Sequence, residues 1–199
     1  NTPFGEQIHF GYFAIPLTVL WIVGITNAIN LIDGLDGLAG GVSTIALLTI
    51  AGMAVFKIGD MFVALIALVL AGSTLGFLKY NFFPAKIFMG DTGAMFLGFM
   101  ISVLSLMGFK NVTVISLIIP IVILGVPISD TFYAIVRRAL HKKPLSAPDK
   151  SHLHHCLLRL GYSHRTTVLL IYVMAASFGV AAFIFSMATL WGAIFLIAA

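Results

Sequence analysis

Asn27, Asn30, Asp33 and Asp36 recur at a spacing of three between two long apolar stretches, with Gly34, Gly37, Gly40 and Gly41 set among and after them. That spacing keeps Asn27, Asn30 and Asp33 near one helical face, and the glycines permit a sharp turn that brings backbone N–H groups close to a ligand. The ordinary alternative is a loop in which Asp-Gly pairs turn the chain and the asparagines cap a helix. Ionisable groups at membrane depth are costly, however, and usually mark a functional polar site.

A second cluster runs from Asn81 to Gly93 and contains Lys86, Phe88 and Asp91. Asp91 stands where it would cap the helix opened by Thr92-Gly93, which leaves Asn81 and an exposed Phe88 unexplained. With Asp33 and Asp36, Asp91 is expected to form an all-oxygen site for a hard cation such as Mg2+, which binds through one or two carboxylates plus substrate phosphates. The third cluster is Asp149-Lys150-Ser151-His152-Leu153-His154-His155-Cys156, preceded by Arg137-Arg138 and His141-Lys142-Lys143. Imidazole and ammonium groups suit phosphate oxygens. A structural zinc site is a weak rival, because adjacent residues cannot easily wrap one tetrahedral ion. A basic loop lying on anionic lipid accounts for the lysines but not for the histidines. Carboxylates for a cation, glycine-rich backbone near phosphates and a cationic loop together describe phosphoryl transfer, in which the protein positions reactants and neutralises charge. One substrate should then be a lipid.

The elements that carry these clusters follow from composition. The 199 residues are 60% hydrophobic and 9% charged, far above the apolar share of about half in soluble domains, so the chain is read as an integral membrane protein. Apolar runs without period-two alternation exclude an outer-membrane barrel and predict an all-α polytopic bundle. A lone Cys156 excludes an internal disulfide framework. The net charge of +4 does not imply nucleic acid, because the basic residues sit between the apolar runs. Six spans are expected, near residues 10–32, 42–56, 61–80, 94–109, 112–140 and 166–187, with the start of a seventh at 190–199. Pro16 should bend the first span or mark an early break, Gly72 and Gly76 should allow close packing of the third, and the fifth should kink at Pro127. Alternating the spans places nine of the lysines and arginines on the face that carries all three clusters, against Lys57 and Lys110 opposite, so the clusters are expected to face the cytoplasm. Residues 1–199 read as one transmembrane domain and, with no initiator Met at the start and an apolar run at the end, as the C-terminal part of a longer protein.

Asn27-x-x-Asn30-x-x-Asp33-Gly-Leu-Asp36-Gly-Leu-Ala-x-Gly41, Phe88-Met-Gly-Asp91-Thr-Gly and His152-x-His154-His155, in this order, resemble the polyprenyl-phosphate N-acetylhexosamine-1-phosphate transferases of the glycosyltransferase 4 family. The resemblance covers nearly the whole chain. His-x-His-His after Pro148-Asp149-Lys150-Ser151 is closer to the branch that uses UDP-N-acetylglucosamine for teichoic acid linkage units or O-antigen lipopolysaccharide than to the peptidoglycan branch. It implies transfer of a sugar 1-phosphate from a UDP-sugar to undecaprenyl phosphate with release of UMP, in a bacterial plasma membrane, with Mg2+ or with Mn2+ in its place. A homodimer is compatible with it. Asp91 then resembles the metal ligand, and Asp33, Asp36, Asp91, His152, His154 and His155 the catalytic set. Asn27, Asn30, Asn81, Phe88 and Lys150 look like substrate-binding residues, with Phe88 stacked on uracil. The family also carries an adjacent aspartate pair upstream of the first motif, and no Asp-Asp occurs in this sequence. The rival class is a cation- or proton-coupled transporter with Asp33, Asp36, Asp91 and Asp130 as a relay. Against it, those aspartates gather toward one face.

Overall fold

Apolar segments can satisfy their own backbone in lipid only as helices or closed barrels. The computed structural model describes residues 11–109, 114–142 and 152–187, and among them every regular element is helical. A 3-10 turn, Gly11–Phe13, leads into α1 (Ala14–Ile32). Then come α2 (Leu38–Met53), prolonged by a π turn over Ala54–Ile58, α3 (Met61–Asn81) and α4 (Gly90–Phe109). The remaining helices are α5 (Val114–Ile123), α6 (Gly125–Leu140), α7 (Leu153–Arg159) and α8 (His164–Met187). Among the described residues five helices, α1 to α4 and α8, with α2 taken through its π turn, are long and apolar enough to cross a bilayer. The fold is the polytopic helical membrane bundle that the composition implies.

The core is built around α2. Its span is 72% buried, against 22–39% for the other four, and it packs against α3, α8 and α4. The glycine-rich stretch before the expected second span is helical from Leu38 onward, which lengthens that span. On the other side α1 lies against α4. Gly98 allows that approach, since a Cβ there would stand 2.8 Å from Thr26 Cα. Trp21 Nε1 fixes the same pair by donating to Ser105 Oγ at 3.1 Å and to the Ser102 carbonyl at 3.3 Å.

Three expectations about the helices need correction. Gly72 and Gly76 meet no neighbour within 4 Å, so the close contacts of the bundle use Gly98 and Gly41 instead. The fifth span is a broken pair, α5 and α6, and the break falls at Leu124 rather than at Pro127. Pro127 has no N–H to offer the Ile123 carbonyl and its ring crowds the preceding turn, so the helix fails one turn before the proline. Asp91 lies inside the first turn of α4, which starts at Gly90, and not at the capping position. Pro16 sits in the first turn of α1, where a missing N–H does no harm. The start of a seventh span, 190–199, lies outside the described residues.

One end of the bundle gathers the segments 33–37, 82–89 and 152–165, which are tied together by the contacts below. The opposite end carries the turn before α3, where Asp60 caps the helix by accepting the Val63 N–H at 3.1 Å.

Candidate active site

Helix α1 delivers its polar residues along its last two turns. Asn27 Nδ2 donates back to the Val23 carbonyl at 2.8 Å, so its amide nitrogen serves its own helix. Asn30 Nδ2, one turn on, donates to Asp91 Oδ1 at 3.2 Å and joins the first motif to the start of α4. Asp33 ends the helix. Its carboxyl is held above the usual carboxylate range, first by burial and then by the negative charge of Asp91. Two carboxylates and an amide therefore share one locality, and Asp91 itself is exposed.

Asp36 goes elsewhere. Helical spacing stops at Ile32, so a further step of three no longer keeps a side chain on the same face. Asp36 Oδ2 instead accepts the Ala85 N–H at 3.0 Å and ties the first loop to the segment after α3. The expected site of Asp33, Asp36 and Asp91 around one ion does not form. No group of three His, Cys, Asp or Glu side chains able to hold a metal occurs among the described residues. The Asp33 and Asp91 pair fits a hard cation only in the mode of Mg2+, where phosphates and waters complete the shell. Burial lifts the Asp33 carboxyl first and the negative charge of Asp91 adds to it, so the two carboxylates lie close enough to interact.

Gly37 is where the first loop is gripped. It enters α2 at φ +81°, a left-handed conformation that favours glycine. Its N–H donates to Asn81 Oδ1 at 3.0 Å, and its carbonyl accepts from the Tyr172 hydroxyl of α8 at 2.5 Å. Asn81, 4% exposed, uses its other side-chain group as well, donating Nδ2 to the Ile87 carbonyl at 2.9 Å. Asn81 was expected to bind substrate. Its amide is occupied at both ends with backbone of the first and second motifs, which makes it a positioning residue. Tyr172 also presses on α2 itself, since a Cβ at Gly41 would lie 1.9 Å from Tyr172 Cζ.

The histidines enter through α7. His152 Nδ1 lies 2.9 Å from Asp130 Oδ2, and the Leu153 N–H donates to Asp130 Oδ1 at 2.8 Å. The rings of His152 and His154 are parallel within 2° with centroids 5.9 Å apart, and His155 lies 4.2 Å from His154. His154 is 2% exposed and its Nε2 has no hydrogen-bond partner among the described residues. That nitrogen would meet a Cβ at Gly34 at 2.4 Å, so the third motif rests directly against the first. Burial, then the neighbouring His155, lowers the His154 pKa to about 4. With its pKa lowered this far, His154 does not supply the positive charge expected of the imidazoles, and a neutral ring is left to donate or accept hydrogen bonds.

Phe88 stands 76% exposed at the same end. Nearby, Arg165 Nε donates to the Phe83 carbonyl at 3.2 Å and the His164 ring stacks on Phe83 at 4.4 Å, which fastens the start of α8 to the second loop. Lys150 lies outside the described residues. Reasoning from sequence missed Tyr172, which carries no signal in an apolar helix, and gave Asp130 no part in the transferase site. A signal for Asp130 existed: it is the one carboxylate in the buried stripe of Val126, Pro127 and Ala134 on α6.

The family model described as Glycosyl transferase family 4 matches residues 1–109, and the chain belongs to that family. It is 59% identical over 193 residues to the probable undecaprenyl-phosphate N-acetylglucosaminyl 1-phosphate transferase of Bacillus subtilis (strain 168), covering 96% of this chain and 54% of the relative. It is 42% identical over 193 residues to the decaprenyl-phosphate N-acetylglucosaminephosphotransferase of Mycolicibacterium smegmatis, covering 86% of this chain and 48% of that relative. To the phospho-N-acetylmuramoyl-pentapeptide-transferase of Clostridium perfringens (strain 13 / Type A) it is 34% identical over 186 residues, covering 92% and 56%. The chain spans about half the length of the curated relatives it matches. Membership of a glycosyl transferase family overturns the transporter reading.

Proposed function

We propose that the protein to which this chain belongs transfers N-acetylglucosamine 1-phosphate from UDP-N-acetylglucosamine to undecaprenyl phosphate and releases UMP, at the cytoplasmic face of a bacterial plasma membrane. The observation that carries the reading is the meeting of three motifs, distant in sequence, at one end of a membrane bundle. There Asn30, Asp33 and Asp91 lie together, Gly34 touches His154, and Asp36 holds the loop that leads to Phe88. Identity of 59% to a relative named for this acceptor and this sugar supports the choice of substrates.

In the proposed reaction a phosphate oxygen of the lipid forms a bond to the sugar-bearing phosphorus of the donor. The bond from that phosphorus to the bridging oxygen breaks, and UMP departs with the bridging oxygen. Asp91 and Asp33 would hold Mg2+, which when bound neutralises diphosphate charge and stabilises the leaving UMP. Asn30 fixes the Asp91 carboxylate through its amide. Phe88, exposed beside the site, offers a ring face on which uracil stacks. His154, buried and neutral, can take part in hydrogen bonding with the sugar or phosphate without adding charge. Lys150 supplies positive charge to the diphosphate. The test is release of UMP by the full-length protein from UDP-N-acetylglucosamine, dependent on both undecaprenyl phosphate and Mg2+. Release without the lipid, or none with it, contradicts the reading.

A further inference from the structure

Asp130 belongs to none of the three motifs, yet the third motif is hung on it. It projects from the buried stripe of α6 and is 8% exposed, in contact with a His152 that is 5% exposed. A carboxylate in such surroundings needs donors, and among the described residues it has two, each on its own oxygen: His152 Nδ1 at 2.9 Å and the Leu153 N–H at 2.8 Å. The second contact matters because His152, the residue at the capping position of α7, makes no capping bond with its own side chain. Asp130 therefore caps α7 from another helix and in the same stroke grips the ring that precedes it.

The first contact fixes more than place. An ionised carboxylate only accepts, so Nδ1 must carry the proton, and Nε2 is the nitrogen with which His152 addresses a ligand. The ring plane is set as well, and the parallel His154 ring follows it. We propose that Asp130 is a positioning residue for the transfer reaction, acting through His152 by holding its Nδ1-protonated form and its orientation in the site. This rests on the reading of the α7 loop as part of a sugar-1-phosphate transferase site. Asp130 touches no substrate in this scheme, and no proton passes to it.

The experiment uses the full-length protein in lipid nanodiscs, with histidine nitrogens observed by 15N NMR and the His152 signals assigned by their loss in His152→Gln. Wild type should show His152 protonated at Nδ1. Asp130→Asn can still accept from Leu153 with its oxygen, but presents an N–H to the ring, and should switch His152 to the Nε2-protonated form. Transfer should fall at least about tenfold in kcat with a much smaller change in KM. His152→Asn keeps a donor for Asp130 and so the cap of α7, yet lacks Nε2, and should lose activity as deeply as His152→Gln. In the double variant Asp130→Asn with His152→Gln, the losses should not multiply beyond that of His152→Gln alone. An unchanged tautomer in Asp130→Asn, near-normal transfer by His152→Asn, or multiplying losses would each overturn the proposal. Should the wild type release no UMP at all, the transferase reading fails, and the tautomer measurement still reports on Asp130.

Discussion

Gly34→Ala makes the contact between the first and third motifs measurable. Gly34 lacks the positive φ that would strain an L side chain, so the new methyl group is the main change. That carbon would stand 2.4 Å from His154 Nε2 and 2.8 Å from Cε1, where ordinary contact begins at 3.4 Å. The imidazole or the loop must therefore retreat by roughly 1 Å, and the ring has little freedom to do so with His152 and His155 beside it. Displacements of this size at a reacting centre cost up to about a hundredfold in rate, while overpacking costs about 1 to 3 kcal/mol of stability, shared here with a loop that can yield. We expect Gly34→Ala to lower transfer by about ten- to a hundredfold with only a small fall in melting temperature. The assay is UMP release by full-length protein, run also in a His154→Ala background where the clash is absent. Undiminished transfer by Gly34→Ala, or an equal loss in both backgrounds, would refute the argument that these two residues meet in the working site.

Other outcomes follow from the same geometry. Phe88→Leu should weaken UMP binding by about 1 to 3 kcal/mol, the value of one stacked base, with insertion intact; calorimetry giving an unchanged Kd would leave Phe88 as an interfacial anchor. Tyr172→Phe removes the donor to the Gly37 carbonyl and should cost about 1 to 3 kcal/mol by thermal unfolding, whereas a neutral result would mean that water replaces the hydroxyl. His154 is depressed from 6.5 to about 4, so the unfolded chain binds its proton first and the folded state loses stability as pH falls through that window. After allowance for screening, wild type should lose about 1 kcal/mol more than His154→Gln between about pH 7 and pH 5, and equal slopes would show that His154 is not buried neutral.

Much of this was legible in the sequence because membrane burial is a strong compositional signal and motif residues are polar where lipid disfavours them. The spans of α1 to α4 and α8 followed from apolar run length alone, and the convergence of the three clusters followed from alternating those spans. Spacing arguments failed where the helix stopped. Asn30 and Asp33 keep to one side because α1 persists to Ile32, while Asp36 lies past its end and turns to Ala85. Side-chain accounting failed next, because a motif residue can be spent on backbone: Asn81 binds Gly37 and Ile87, and nothing in the letters distinguishes that from an amide facing substrate. Partners supplied by helices without motifs, Asp130 from α6 and Tyr172 from α8, are tertiary facts. Small-residue spacing misled at Gly72 and Gly76, since which face of a helix meets a neighbour depends on the whole bundle.

Which phosphorus keeps the sugar distinguishes sugar-1-phosphate transfer most directly. Full-length protein supplied with undecaprenyl phosphate, Mg2+ and UDP-N-acetylglucosamine labelled separately at either phosphate should place the sugar-proximal label in the lipid product and the other in free UMP. Recovery of both labels together as UDP would show transfer of the sugar alone. That result would contradict the assignment of the Asn30, Asp33, Asp91 and histidine constellation to sugar-1-phosphate transfer.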